Sequence, residues 1–210
     1  MNEFPADSAL TQSLLRQVGA GDVKAFEQLF ALYRPNLCRA VARRLDPKLR
    51  ARIDPSDVVQ DTQLEAFQRF ADYLERRPMP FRLWLWKTAL QRLLKVQRRH
   101  TEAARRAVGR ELVQADQFLP PLDTQLPAAS PSPSQNVAGA ERAQRVRQGL
   151  KQLPKSDQDI VEMRTFEGFS FEEVASFLDI APAAARKRYG RALLRLRRIL
   201  LEDGLKESGL

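Results

Sequence analysis

The stretch from Leu153 to Arg198 most narrows what this chain can fold into, because its caps, stops and turns come in the order of a helix-turn-helix. Pro154 and Ser156 open a helix whose apolar positions Ile160, Val161, Met163 and Phe166 fall on one broad inward face, and Gly168 stops it. Ser170-Phe171-Glu172-Glu173 has the spacing of a capping box, in which hydroxyl and carboxylate each satisfy the other's backbone N–H. The short helix that follows presents Phe171, Val174, Ala175 and Leu178 inward. Asp179 to Ala181 form the turn, and Pro182 suits the first position of the next helix, where its missing N–H costs nothing. From Pro182 to Arg198 there are seven Lys or Arg and no acid: Arg186, Lys187, Arg188, Arg191, Arg195, Arg197 and Arg198. A basic helix taken alone is more often a solvated face. A short helix, tight turn and one-signed second helix together point to a major groove.

Composition agrees. The net charge of +9 over 210 residues favours a polyanion as partner. No apolar run is long enough to span a bilayer, and Glu3 and Asp7 without an apolar segment do not read as a signal peptide. One cysteine, Cys38, excludes an internal disulfide and suits a small core position. With a single histidine, His100, a zinc finger or histidine triad has too few ligands, and there is no glycine-rich phosphate loop. We expect no enzyme activity, no cofactor, no metal and no small-molecule substrate.

The pattern is all-α, because alternating strand signals bounded by glycine turns are absent. Leu10, Leu14, Leu15 and Val18 form a first stripe, ended by Gly19 and Gly21. Asp22 caps a second helix with Phe26, Leu29, Phe30 and Tyr33 inward, and Pro35 starts a third through Leu37, Cys38, Val41 and Leu45. A fourth runs from Asp54-Pro55 to about Phe70, and a fifth from about Phe81 to His100. Between Glu111 and Ala140 there is no Lys or Arg, and Pro120, Pro121, Pro127, Pro131 and Pro133 break any helix, which reads as a flexible Pro/Ala/Ser-rich tether. Helices resume near Ala138. The expectation is two small helical modules, residues 1–107 and 138–210, joined by a linker over 108–137.

Two helices of the first module carry chemistry. From Asp54 to Gln68 there is no Lys or Arg, although the chain is basic. Val58, Val59, Thr62, Ala66, Phe67 and Phe70 can pack inward, leaving Asp57, Gln60, Asp61 and Gln63 or Leu64 on another face. The helix dipole accounts for Asp54 and Asp57 but not for Asp61. Such a face suits a basic protein surface better than DNA. In the helix from Phe81, Lys87, Gln91, Lys95 and Arg98 or Arg99 recur at i, i+4 as one polar stripe. Arg82 to Arg110 holds nine basic residues against the single acid Glu102. Cations beside aromatics suit opened DNA, where phosphates and unstacked bases need both. Trp84, beside Phe81 and Leu85, reads as core, whereas Trp86 is balanced between core and DNA.

In this order the segments resemble the extracytoplasmic-function (ECF) group of RNA polymerase sigma factors. Gly21 to Phe30 resembles the family's opening helix, Asp57-Val58-Val59-Gln60-Asp61 its best-known motif, Phe81 to Arg99 its −10 segment, and Leu153 to Arg198 its region 4. The resemblance implies that Asp57, Gln60, Asp61 and Gln63 dock on the clamp helices of the polymerase β′ subunit. It implies −10 recognition and melting by Trp86, Lys87, Gln91, Lys95, Arg98 and Arg99. It implies −35 recognition by Arg186, Lys187, Arg188, Gly190, Arg191 and Arg195, with Arg188 and Arg195 on phosphate or core contacts and the module touching the β flap. The tether then runs near the polymerase cleft or RNA exit path. The protein would be a cytoplasmic alternative sigma factor for promoter DNA, with a possible anti-sigma factor holding it at a membrane. The alternative is a helix-turn-helix regulator that never engages core polymerase. Two departures stand out. Gln91 replaces an Asn common in the family, and Ala181 and Ala184 replace a Ser cap and a phosphate-binding Thr, which leaves the −35 sequence open. Leu90 to Leu94, Ser132 to Gln135 and Arg188 to Leu193 are similar to a Planctomycete-type variant.

Overall fold

The computed structural model describes residues 7–46, 49–108 and 133–202. They form α1 (Ala9–Gly19), α2 (Val23–Arg44), α3 (Pro55–Gln68), α4 (Phe70–Arg76), α5 (Phe81–Val108), α6 (Pro133–Gln152), α7 (Lys155–Thr165), α8 (Phe171–Leu178) and α9 (Pro182–Glu202). The fold is all-α, with no strand among the described residues.

Asp22 and Asp54 cap α2 and α3 as their sequence positions require, the first accepting from the backbone N–H of Lys24 and Ala25, the second from Ser56. The N-terminus of α5 takes a cap from far away. Asp7 accepts from the backbone N–H of Phe81 at 2.8 Å and of Arg82 at 3.3 Å. That long-range cap is invisible to local pattern, and it ties the start of the chain to the helix that bears the basic stripe. Around it, Phe81 meets Tyr33, Phe70 and Tyr73 edge-on at 5.6, 6.1 and 5.5 Å, so α2, α4 and α5 share an aromatic core.

Three boundaries differ from the sequence expectation. Pro35 does not begin a helix but lies inside α2. An interior proline costs about 3 kcal/mol. Phe26, Leu29, Phe30 and Tyr33 before it and Leu37, Ala40 and Val41 after it are all buried on one continuous stripe, and each large side chain contributes about 1.5–3 kcal/mol. Burial outweighs the break. The helix expected to reach Phe70 instead ends at Gln68 with Arg69 as its cap, and a separate α4 follows, ended by Arg77 in the left-handed region at φ 36°. The break turns Phe70 and Tyr73 into the core and leaves Phe67 at its margin, 45% exposed yet packed edge-on against the buried Phe26 at 5.1 Å. Helix α5 continues past His100 to Val108, and α6 begins at Pro133 rather than near Ala138. Most of the expected tether, residues 109–132, lies outside the described residues.

In the second group, α7, α8 and α6 pack on α9 through Ile160, Met163, Val174, Ala185, Leu196 and Leu200. Gly149 lets α6 approach closely, since a Cβ there would meet Leu200 at 3.0 Å. The capping box forms: Glu173 N–H reaches Ser170 Oγ at 3.2 Å, and Ser170 N–H reaches Glu173 Oε2 at 2.7 Å. Asp179 takes the left-handed turn at φ 54°. Phe166 is not inward as expected. It sits 36% exposed at the rim, with the Arg43 guanidinium 5.3 Å above its ring.

Candidate nucleic-acid interface

On α3, Val58, Val59, Thr62 and Ala66 point inward, which turns Asp57 and Gln60 fully outward and leaves Asp61 and Gln63 half-buried. Leu64 and Phe67, 59% and 45% exposed, continue the outer face at i+4 and i+7 from Gln60. Asp61 is not a bare charge: Arg92 of α5 donates to its Oδ2 from Nε at 3.1 Å and Nη2 at 2.6 Å. The face is thus an acidic and amide edge with an exposed apolar strip, the composition of a protein-docking patch rather than of a DNA contact.

On α5, Gln91, Lys95, Arg98 and Arg99 are exposed and Lys87 half-exposed, so the stripe forms as expected. Lys87 and Gln91 also border a cavity of about 310 Å³ whose walls include Tyr73, Met79, Trp84 and Asp72. Tyr73 and Trp84 pack with tilted rings, centroids 4.7 Å apart, and the Tyr73 hydroxyl donates to the Met79 carbonyl, which braces the loop between α4 and α5. Burial and the nearby Asp7 charge push the Tyr73 phenol up to about 12, with Arg77 pulling the other way. Local pattern marks Lys87 and Gln91 but not the cavity, which needs the α4 break and the left-handed Arg77.

Trp86 does not join that stripe. It is 2% exposed and meets Phe169 at 5.5 Å and Phe177 at 5.0 Å, both edge-on and both from the second helical group. The Arg44 guanidinium covers it at 4.9 Å. Arg44 is itself buried between carboxylates of α7 and the turn after it, 2.7 Å from Glu167 and 2.6 Å from Glu162. Burial works to discharge Arg44, but Glu167 and Glu162 hold its pKa above the ordinary arginine value. Burial raises Glu162 in turn, against the pull of Arg44. Arg43 adds a second contact to Glu167 at 2.9 Å, and Arg82 forks onto both oxygens of Glu173 at 2.6 and 2.5 Å. No sequence signal joins these ion pairs, whose members are 91 to 124 positions apart.

On α9, Ala185, Ala192, Leu196 and Leu200 are buried, leaving Lys187, Gly190 and Arg191 exposed. A Cβ at Gly190 would meet nothing within 4 Å, so a flat, open place lies between two cations. Arg186 shares an exposed ion pair with Glu172 at 2.9 Å. Arg188 and Arg195 converge on the buried Asp157 at 3.1 and 2.5 Å, with Arg188 also donating to Ser156. Those two arginines brace α9 on α7.

A family model described as ECF sigma factor matches residues 8–200. The chain belongs to that family. It is similar to the RNA polymerase sigma factor CnrH of Cupriavidus metallidurans, 29% identical over 98% of this chain and 100% of that protein. It is also similar to the RNA polymerase sigma-H factor of Pseudomonas aeruginosa, 25% identical over 86% of this chain and 89% of that one. Among solved structures, CnrH in complex with the cytosolic domain of CnrY has the same fold, with a TM-score of 0.62 at 22% identity over 93% of this chain and 99% of that one. A sigma factor RpoE solved with the anti-sigma factor NepR from Bartonella quintana has a TM-score of 0.55 at 20% identity, covering 85% of this chain and 98% of that one. As an ECF sigma factor, the chain is an alternative sigma factor that binds core RNA polymerase and promoter DNA and directs transcription initiation. No helix among the described residues is long and apolar enough to cross a membrane.

Proposed function

We propose that this ECF sigma factor divides its work by helix. The α3 edge of Asp57, Gln60, Asp61 and Gln63, extended by Leu64 and Phe67, docks on the β′ clamp helices of core polymerase. Lys87, Gln91, Lys95, Arg98 and Arg99 hold the melted −10 strand, and the cavity beside Gln91 takes an unstacked base. On α9, Lys187, Gly190 and Arg191 face the −35 element, and Arg186 joins them by exchanging Glu172 for DNA. Arg188 and Arg195, already spent on Asp157, orient the helix. The first module runs to the end of α5 at Val108 and the second starts with α6 at Pro133, and the linker between them makes the second contact effectively intramolecular once the first has formed.

The observation that carries this division is the coexistence of one exposed acid–apolar face on α3 with two exposed cation faces on α5 and α9. The protein works without catalysis of its own, in the cytoplasm. An anti-sigma partner belongs to the same reading: CnrH and RpoE, which share the fold, were each solved with a partner chain, and NepR is an anti-sigma factor. The deciding experiment is transcription from random promoter templates with purified core polymerase, with and without the protein. New start sites that share spaced −35 and −10 elements are the expected result. Binding to core without transcripts would reduce the protein to an adaptor.

A further inference from the structure

We infer that the Arg43–Arg44–Arg82–Trp86 face of the first module is a single-stranded nucleic-acid surface, and that in the free chain the acid–aromatic edge of the second module occupies it as a stand-in for the strand. The inference rests on the reading of α5 as the −10 helix.

The face has one guanidinium on its indole and two more that reach the acids and rings beside it. The Arg44 guanidinium lies over Trp86 at 4.9 Å, and Arg82 is one helical turn from Trp86 along α5. Arginines and aromatics interleaved in this way are what a single strand needs, cations for its phosphates and a ring for its bases. What fills the face is chemically parallel. Glu173 takes the Arg82 fork through both oxygens, the same two-point geometry that arginine uses on phosphate. Glu167 takes Arg43 and Arg44, and Glu162 lies against Arg44. Phe169 and Phe177 present their rings to Trp86.

The closure is specific without being tight. Arg43 Nε, Arg44 Nε and Glu167 Oε2 are buried there without a hydrogen-bond partner, and buried ion pairs contribute more to register than to stability because desolvation offsets their attraction. An interface of that kind opens when a better-satisfied ligand or a second anchor competes for either side.

The test uses the full-length chain without polymerase and a labelled 12-nucleotide single-stranded DNA of mixed sequence, read by anisotropy. The variant E162Q/E167Q is expected to bind about tenfold tighter than the parent, because closure lowers apparent affinity by the fraction of chains that are open. Its tryptophan emission is expected to shift to the red as Trp86 leaves the phenyl rings, and adding Trp86→Ala should remove most of the gain. The control E27Q/E75Q changes net charge equally on exposed sites of the first module and should stay near the parent. A variant that shifts its emission but binds no better than the control overturns the nucleic-acid assignment. One that keeps its helical signal but shows no shift overturns the self-occlusion. If E162Q/E167Q loses its helical signal, Phe177→Ser takes its place with the same readouts, since it withdraws one ring from Trp86 without touching a buried charge. Core-dependent initiation is not measured here, so failure of this proposal leaves the assignment of the docking and −10 faces untouched.

Discussion

Single side chains set the sharpest expectations. Asp61, half-buried on α3, holds Arg92, so Asp61→Lys both reverses a charge of the proposed docking edge and repels Arg92. The variant should keep its helical circular dichroism and lose holoenzyme formation by at least about a hundredfold, roughly 2.7 kcal/mol. Unchanged assembly with core polymerase would remove α3 from the docking role. Tyr73 carries a pH signature. Its phenol is pushed up to about 12 in the folded chain, so stability is full below the ordinary tyrosine pKa near 10 and falls as pH rises from about 10 through about 12. Urea midpoints measured across that window should drop for the parent and drop less for Tyr73→Phe. Equal slopes would mean that Tyr73 is not the group that titrates.

Among elements, the helix-turn-helix shows how few residues orient a reading helix. Asp157 anchors Arg188 and Arg195 from a buried position on α7, while both arginines remain partly exposed. Asp157→Ala should destabilise the fold by about 2 kcal/mol, the scale of lost hydrogen bonds to charged groups, and weaken DNA binding on every sequence alike. The measurement is a denaturant midpoint beside binding curves on matched and mismatched duplexes. Arg186→Ala should act differently. If its guanidinium takes a base edge, binding falls by about 1–3 kcal/mol at one position of the −35 element and preference there relaxes. A loss that is equal across sequences would mark a phosphate contact instead. The elements themselves were largely legible in the sequence where a cap and a stripe coincide, as at Asp22, Asp54 and Ser170. They were misread where burial overrides a local signal. Pro35 is a local breaker inside a stripe that the core needs whole, and the α3–α4 break has no local marker beyond the need to bury Phe70 fully while Phe67 packs only one edge on Phe26.

At the scale of the molecule, the free chain holds its two helical groups together through Arg43, Arg44 and Arg82, whereas the proposed division of work requires them apart. Elements named −35 and −10 lie about 25 base pairs from one another, about 85 Å at 3.4 Å per pair. Labels placed on exposed Gln17 in the first module and Ser176 in the second should report a short separation in the free protein. With core polymerase and promoter present, that separation should grow by tens of ångströms. An unchanged distance would make the closed arrangement the working one. The sequence by itself determined the helical class, the capping box, the two cation stripes and the acidic face, because each depends on residues within a few positions of one another. Only the tertiary structure decided that Asp7 caps α5, that Arg92 holds Asp61, that Arg188 and Arg195 meet on Asp157, and that Trp86 is enclosed by Phe169 and Phe177. Each of those pairs groups far apart along the chain, and partners of that kind are chosen by packing, charge and desolvation in three dimensions, which no local period encodes.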